Sequence, residues 1–399
     1  MIKKIPQIRP NVFYVGVNDR KKYLFENIWP IESGVAYNSY LIADQKTVLI
    51  DTVDSNMIMD YLATVQQCLN GRSLDYLVIN HMEPDHCGGI QIIQKYYPEV
   101  QIVGNKKTFE MLNNFYGITN NLVEVKEGEE INIGSRTLKF YMAPMVHWPE
   151  VMMTYDTKDK TLFSADAFGS FGTLDGGITD EELNLSFYDE EYIRYYSNIV
   201  GKFSNPVQAV LKKFKNVPIK MVASTHGPIL KKHDNIWKLI SLYDKLSRNE
   251  TDQGVVIAYA SMYGNTEAMA EVIARELSEQ GIINIKIYDV SKTHPSYIIK
   301  DIFKYKGLIL GSPTYNLDLH PNMHALVSKL EAIGIKNHIY GCFGSFSWAG
   351  KAAKKLEEFG ESTGWDIVGP TIEEKGALKT DKYNECLMLA KAMAEKLKQ

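Results

Sequence analysis

The sequence predicts an α/β protein of two domains, the second a doubly wound parallel sheet of five strands. Three observations carry this. The chain has 399 residues, twice the size of an ordinary domain. A polar, turn-forming stretch, Lys245-Leu-Ser-Arg-Asn-Glu-Thr-Asp-Gln-Gly254, reads as a linker. Beyond it, short β-branched or aromatic runs alternate regularly with helical stretches, whereas before it strands and helices are mixed. The expected domains are residues 1–249 and 250–399.

In the first domain, residues 37–42 and 47–50 form a hairpin across the polar Ala43-Asp-Gln-Lys46. Residues 57–69 carry apolar side chains at helical spacing. A strand over 74–79 ends at Asn80-His81, and a helix over 88–97 follows a loop. Further strands are expected at 100–104, 138–143, 151–156, 161–165 and 220–223. In the second domain strands are expected at 255–259, 285–289, 307–310, 338–344 and 366–368. A sheet of this kind binds ligands at the carboxyl ends of its strands, at the point where strand order reverses.

Composition excludes several classes. Hydrophobic residues make up 45% and the formal charge is -4, with both signs scattered, so nothing invites nucleic acid or an anionic membrane. No apolar run reaches membrane-spanning length. The start, Met1-Ile-Lys-Lys-Ile-Pro, lacks an apolar signal core, so a cytoplasmic protein is expected. Cys68, Cys87, Cys342 and Cys386 are widely spaced without a Cys-x-x-Cys pair, which argues for reduced, mostly buried thiols.

The densest chemical signal is Asn80-His81-Met82-Glu83-Pro84-Asp85-His86-Cys87-Gly88-Gly89. Four possible metal ligands, His81, Glu83, Asp85 and His86, fall within six residues at the end of an apolar strand. Alternate residues of an extended loop point to one side. Pro84 stiffens the loop, and Gly88-Gly89 are expected to permit a sharp turn into the next helix. The alternative is a solvated loop that caps a helix. His147, Asp166 and His226 each stand where a strand opens into a Gly- or Pro-containing loop. Alone, each reads as a hydrogen-bonded structural residue. With the cluster they complete a set of seven, enough for two metals sharing one carboxylate.

The spacing H-x-E-x-D-H, followed by His147-Trp-Pro, Asp166-Ala-Phe-Gly and Thr225-His-Gly-Pro, resembles the metallo-β-lactamase fold, and within it the diiron domain of flavodiiron proteins. Glu83 stands where the zinc hydrolases of that fold usually have His, and a hard anionic oxygen suits iron better than zinc. The resemblance implies an αββα sandwich. It implies one iron at His81, Glu83 and His147, another at Asp85, His86 and His226, and Asp166 as the bridge, with positions open for a small ligand. It also carries the reservation that His86 swings away in some members. Asp51 sits at a common acidic position of the fold and is read as ordering a loop. Trp148 is read as packing, and Tyr195 and Tyr196 as candidates to line the pocket. His233, His294, His320, His324 and His338 are read as structural or solvated.

The loop Ser261-Met262-Tyr263-Gly264-Asn265-Thr266 joins the first strand of the second domain to a helix. Backbone N–H groups at a helix N-terminus favour a phosphate; an ordinary turn capped by Thr266 is the alternative. Pro313-Thr314-Tyr315-Asn316 and Ser345-Phe346-Ser347-Trp348-Ala349-Gly350 follow the third and fourth strands, where hydroxyls and flat aromatic faces suit a flavin. This half resembles flavodoxin, which implies FMN. Tyr263 departs from the Ser or Thr common in that family, so one hydroxyl donor to phosphate is missing.

Together the halves imply an oxidoreductase that reduces dioxygen to water or nitric oxide to nitrous oxide with two iron ions and FMN. Two ferrous ions and reduced FMN hold the four electrons that one dioxygen needs. The resemblance further implies a head-to-tail homodimer or dimer of dimers. A separate electron donor, a rubredoxin-like protein or a reduced deazaflavin, is also implied, since no cysteine-rich extension follows. A zinc hydrolase of the same fold and a flavin electron carrier without gas reduction are the competing classes.

Overall fold

The computed structural model describes residues 4–399; Met1, Ile2 and Lys3, part of the stretch read for a signal core, lie outside them. The chain divides into two compact units, residues 1–244 and 245–399.

The first unit is built on two sheets. One has the strand order Gln7–Arg9, Val12–Tyr14, Tyr40–Ala43, Thr47–Ile50, Tyr76–Val78, Gln101–Gly104 and Leu122–Glu124. Its first four strands pair antiparallel and the later pairings are parallel. The expected hairpin pairs Tyr40 with Ile50 and Ala43 with Thr47. The other sheet runs Glu130–Asn132, Thr137–Met142, Met152–Asp156, Thr161–Phe163 and Met221–Ala223. Inward residues of both meet in one core, where Val48, Ile50 and Val78 of the first sheet join Phe140, Met152 and Phe163 of the second. With helices such as Ile58–Leu69, which buries Tyr61, Leu62, Val65 and Leu69 along one stripe, this is the metallo-β-lactamase-like sandwich.

In the second unit all main pairings are parallel, in the order Ile285–Asp289, Asp252–Tyr259, Tyr305–Tyr315, Ile339–Phe346, then two short strands, Asp366–Ile367 and Ile372–Lys375, that both pair with Ile339–Phe346. This is the flavodoxin-like 2-1-3-4-5 order. The fifth strand is broken because Gly369 takes φ +68 and Pro370 has no N–H to donate. The polar stretch expected as a linker is mostly regular structure: the helix His233–Ser247 enters it and the strand Asp252–Tyr259 begins within it.

Of the histidines outside the clusters, His233 and His324 are exposed and the other three are structural. His294 and His320 cap helices through Nδ1, accepting from the amides of Ser296 and Asn322. His338 takes the structural alternative of its reading. It is buried, its ring nitrogens 2.9 Å from Lys336 O and 2.8 Å from Ile302 O. Cys87, Cys342 and Cys386 are buried free thiols, and Cys68 is half-buried. No helix among the described residues is long and apolar enough to cross a membrane.

Candidate metal centre and flavin site

The donor residues of the first unit all follow the carboxyl ends of strands. His81 lies just beyond Tyr76–Val78, and Asp85 and His86 sit in the one-turn helix Pro84–Cys87, with Glu83 as the residue before it. His147 is in the loop after Thr137–Met142, Asp166 follows Thr161–Phe163, and His226 follows Met221–Ala223. The loop at residue 80 is pinned before any metal is considered. Asp51 accepts from Asn80 N at 2.8 Å, Asn80 Nδ2 at 3.1 Å and His81 N at 3.3 Å. That is the ordering role its sequence position suggests. Thr154 donates to Asn80 Oδ1 at 2.7 Å, and Met152 N to Asn80 O at 3.0 Å, so the second sheet holds the same loop.

Gly88 and Gly89 act differently from the sequence expectation. Both have ordinary helical φ, -58° and -85°. A Cβ on Gly88 would lie 2.7 Å from Pro84 O, and one on Gly89 2.6 Å from Ile58 Cδ1. They are needed for close packing, and the turn itself places no demand on them. Ala165, immediately before Asp166, has φ +51, a conformation that costs an L-residue energy and is tolerated where the surroundings over-determine it.

The seven donors converge. His81, Glu83, His147 and Asp166 offer ligand atoms within 4.8 Å of one another, and so do Asp85, His86 and His226. Asp166 spans the two groups. Its Oδ2 lies 3.2 Å from His147 Nε2 and 3.6 Å from His81 Nε2, while Oδ1 lies 3.0 Å from His86 Nε2 and 3.8 Å from His226 Nε2. Glu83 Oε2 is 3.1 Å from His147 Nε2 and 3.3 Å from His81 Nε2; Asp85 gives one oxygen to His86 and the other to His226, both at 3.4 Å.

All seven are buried. Without a metal their charges pair among themselves. Desolvation alone would lower His86 and His147, but Asp85 and Asp166 around the first, and Asp166 and Glu83 around the second, push both up to about 9. Desolvation likewise opposes ionised Asp166, yet His86, His81 and His147 hold it well below the usual range. The pairing is incomplete: His81 Nε2, His86 Nε2, His226 Nε2 and both Asp85 oxygens are buried without a hydrogen-bond partner among the described residues. Orphaned polar atoms of this kind, imidazole nitrogens mixed with carboxylate oxygens, fit a pair of iron ions.

Around the donors the walls are aromatic. Trp148 sets its ring edge against His81 at 5.4 Å, the packing role expected of it. Tyr195 lies 5.6 Å from the His226 ring and 5.0 Å from Phe171, and its buried hydroxyl has no partner among the described residues. Burial and then the charges of Asp166 and Glu83 keep that phenol neutral, raised well above its ordinary value. Tyr196 packs on Tyr243 at 4.8 Å, at the start of a π-helical stretch, Tyr196–Val200. Phe25, 5.3 Å from the His226 ring, and Glu26 come from a hairpin, Leu24–Phe25 with Trp29–Pro30, that sequence reasoning did not find. Desolvation and the charge of Glu83 push the Glu26 carboxyl up to about 7. Strands of two residues carry no periodicity, so no sequence signal marked this wall.

In the second unit a cavity of about 360 Å³ is lined by residues 261–263, 265–266, 313–317 and 345–349. The three loops predicted to meet do meet, with Leu317 added and with Gly264 and Gly350 outside the lining. Gly264 has φ +88 and turns the loop into the helix Asn265–Glu279. Gly350 lets the third loop pass Glu373, whose Oε2 would stand 2.3 Å from an added Cβ. Ser261 Oγ accepts from the amides of Gly264 and Glu267. Thr266 Oγ1 is 2.9 Å from Ser345 Oγ and buried, so it ties the first loop to the third. Thr314 Oγ1 accepts from the amides of Lys351 and Ala352 and caps the helix Ala352–Thr363 from a different loop. Tyr263 and Trp348 stand 88% and 86% exposed, flat apolar surface left for something to cover. The amide-rich loop at a helix start and the aromatic faces fit the phosphate and ring of a flavin mononucleotide.

Residues 35–227 match the family model described as ODP family beta lactamase, and residues 257–390 match that of flavodoxin. A nitric oxide reductase of Moorella thermoacetica is 32% identical over 373 residues, 92% of each chain. The solved structure of the rubredoxin oxygen:oxidoreductase of Desulfovibrio gigas superposes with a TM-score of 0.95 at 26% identity, covering 99% of both chains. That of the flavodiiron protein of Giardia intestinalis gives 0.94 at 25%, covering 100% of this chain and 97% of the other.

Proposed function

This chain belongs to the flavodiiron proteins, and we infer from that membership an oxidoreductase that reduces nitric oxide to nitrous oxide, dioxygen to water, or both. The observation that carries the reading is the division of the Asp166 carboxylate between two groups of buried donors. When bound, FMN supplies electrons one or two at a time, and an iron pair supplies open positions where a diatomic gas is reduced.

The residues of the chain have definable tasks. His81, Glu83 and His147 would hold one iron and Asp85, His86 and His226 the other, with Asp166 between them; the convergence of their donor atoms supports this assignment. Burial of all seven excludes bulk water, which strengthens every charge interaction inside and limits escape of half-reduced products. Tyr195, held neutral beside the His226 ring with an unengaged hydroxyl, would offer an O–H donor at the wall of the centre. Residues 261–263, 265 and 266 would hold the flavin phosphate, and Tyr315 and Trp348 would flank the ring, as the lining of the cavity supports.

Two further elements belong to the proposal. A head-to-tail homodimer, or a dimer of dimers, lets the flavin of one protomer serve the irons of its partner; exposed Tyr263 and Trp348 support an interface there. A separate donor, a rubredoxin-like protein or a reduced deazaflavin, supplies the electrons. The four free thiols accord with a reducing, cytoplasmic setting.

Anaerobic loading with iron and FMN, followed by parallel measurement of nitric oxide and dioxygen consumption, tests the reading. Asp166→Asn is expected to abolish both while the flavin remains reducible. An Asp166→Asn protein that consumes either gas at the parental rate refutes the assignment. Dilution to monomer is expected to lower turnover per iron pair; full turnover by the monomer sinks the dimer.

A further inference from the structure

Glu150 is fully buried and carries no task in the account above. One of its oxygens, Oε1, lies 2.8 Å from His81 Nδ1 and accepts from the amide of Met82 at 2.8 Å. The other, Oε2, has no partner among the described residues. Its own backbone is anchored, because Asn105 Nδ2 donates to Glu150 O. Burying a carboxylate is costly unless its charge is matched, and the partners found here are one imidazole and one amide.

Glu150 Oε1 accepts from the Met82 amide, so it faces His81 Nδ1 as an acceptor as well. His81 therefore presents an N–H at Nδ1 to Glu150, and its Nε2 points the other way, toward Glu83 Oε2 at 3.3 Å and Asp166 Oδ2 at 3.6 Å. The second donor group has no equivalent. His226 Nδ1 lies 2.8 Å from Ala36 O, a neutral carbonyl, and His86 Nδ1 is buried without a partner among the described residues. A carboxylate behind an imidazole fixes its tautomer and raises its donor strength, which a neutral carbonyl does more weakly.

Resting on the functional reading above, we propose that Glu150 is the positioning residue for the metal held by His81, Glu83 and His147. It fixes the His81 ring and makes it a stronger donor than the imidazoles of His86 and His226, so the two irons are electronically unlike. The iron on this side binds more tightly and has the more electron-rich ligand set. The iron at Asp85, His86 and His226 has no such support behind its imidazoles.

The test uses the full chain, loaded with FMN and stripped of metal, titrated anaerobically with Fe(II) and followed by Mössbauer spectroscopy of the 57Fe-loaded protein. Glu150→Gln keeps the size and an acceptor oxygen and removes the charge. It should bind two irons, one of them weakened about 10–100-fold, with one of the two iron signals shifted and flavin content unchanged. Glu150→Ala should weaken the same site further; if it fails to fold, the Gln variant still decides. Wild-type affinities and unchanged signals in the Gln variant overturn the inference, as does equal weakening of both sites, which would mark a merely structural residue. A wild-type chain that binds no iron pair overturns the functional reading itself, whereas an intact wild-type pair with an indifferent variant overturns only the role of Glu150.

Discussion

Thr225 donates its hydroxyl to Asp166 Oδ1 at 2.5 Å, the same oxygen that faces His86 and His226. The neighbour of one metal-donor residue thus orients the carboxylate that spans both donor groups. Hydrogen bonds to charged groups contribute about 1.5–3 kcal/mol. Thr225→Val, nearly isosteric, should therefore lose roughly tenfold or more in retention of the iron pair, and Thr225→Ser should restore it. Iron content after dialysis against a chelator reads this out; a Val variant that keeps wild-type iron shows that the hydroxyl is dispensable.

Removing the metals should destabilise the first unit alone. Buried nitrogens on His81, His86 and His226 and both oxygens of Asp85 then lack partners. A ligand at a thousand times its Kd stabilises by about 4 kcal/mol, on the order of 10 °C for a unit of this size. Calorimetry before and after reductive chelation should show one transition falling and the other, of the flavin unit, staying in place. Two unmoved transitions would contradict a tightly held metal pair.

Thr266 and Ser345 join two of the flavin loops through buried hydroxyls. Thr266→Val strands the Ser345 hydroxyl, an expected cost of about 1–3 kcal/mol. FMN affinity, followed by recovery of flavin fluorescence, should fall several-fold or more. Adding Ser345→Ala should cost less than it does in the parent, because the orphaned group is gone. Strictly additive losses would show that the two hydroxyls do not cooperate.

Gly264 has φ +88, and nothing lies within 4 Å of the Cβ it lacks. Conformation, not space, sets its cost of substitution. Gly264→Ala should destabilise the flavin unit by about 1–2 kcal/mol, and Gly264→Asn by less. Denaturant midpoints of the FMN-free protein check the order; an Ala variant as stable as the parent would mean the loop re-forms with another turn.

His338 offers a pH test away from the metals. Desolvation outweighs its two carbonyl contacts and pushes its pKa below the ordinary 6.5. The unfolded chain therefore takes up a proton that the native imidazole refuses. The contribution is fully present above about pH 6.5 and is lost as pH falls toward the native pKa. The urea midpoint of the flavin unit should fall between pH 7 and 5.5 more steeply in the parent than in His338→Gln. Parallel profiles would show that His338 is protonated in the native state.

The donor chemistry was legible in the sequence. His81, Glu83, Asp85 and His86 are close in the chain, and His147, Asp166 and His226 mark strand ends, so residue type and spacing announced a two-metal site. The parallel sheet of the second unit was equally plain, because alternation of strand and helix is a local, repeating pattern. A broken fifth strand was less so: Gly369-Pro370 interrupts it after two residues, and the rest resumes at Ile372.

Three matters were decided only in three dimensions. Which oxygen of Asp166 faces which histidines, and that Glu150 stands behind His81 across 69 residues of chain, depend on how the two sheets bring distant loops together. That Tyr195 meets His226 while Tyr196 meets Tyr243 depends on rotation about one helix axis. Gly88 and Gly89 answer to Pro84 O and Ile58 Cδ1, atoms that no count along the chain places beside them. Local periodicity and residue chemistry are properties of the sequence itself; the pairing of one atom with another across closed loops exists only once the chain has folded.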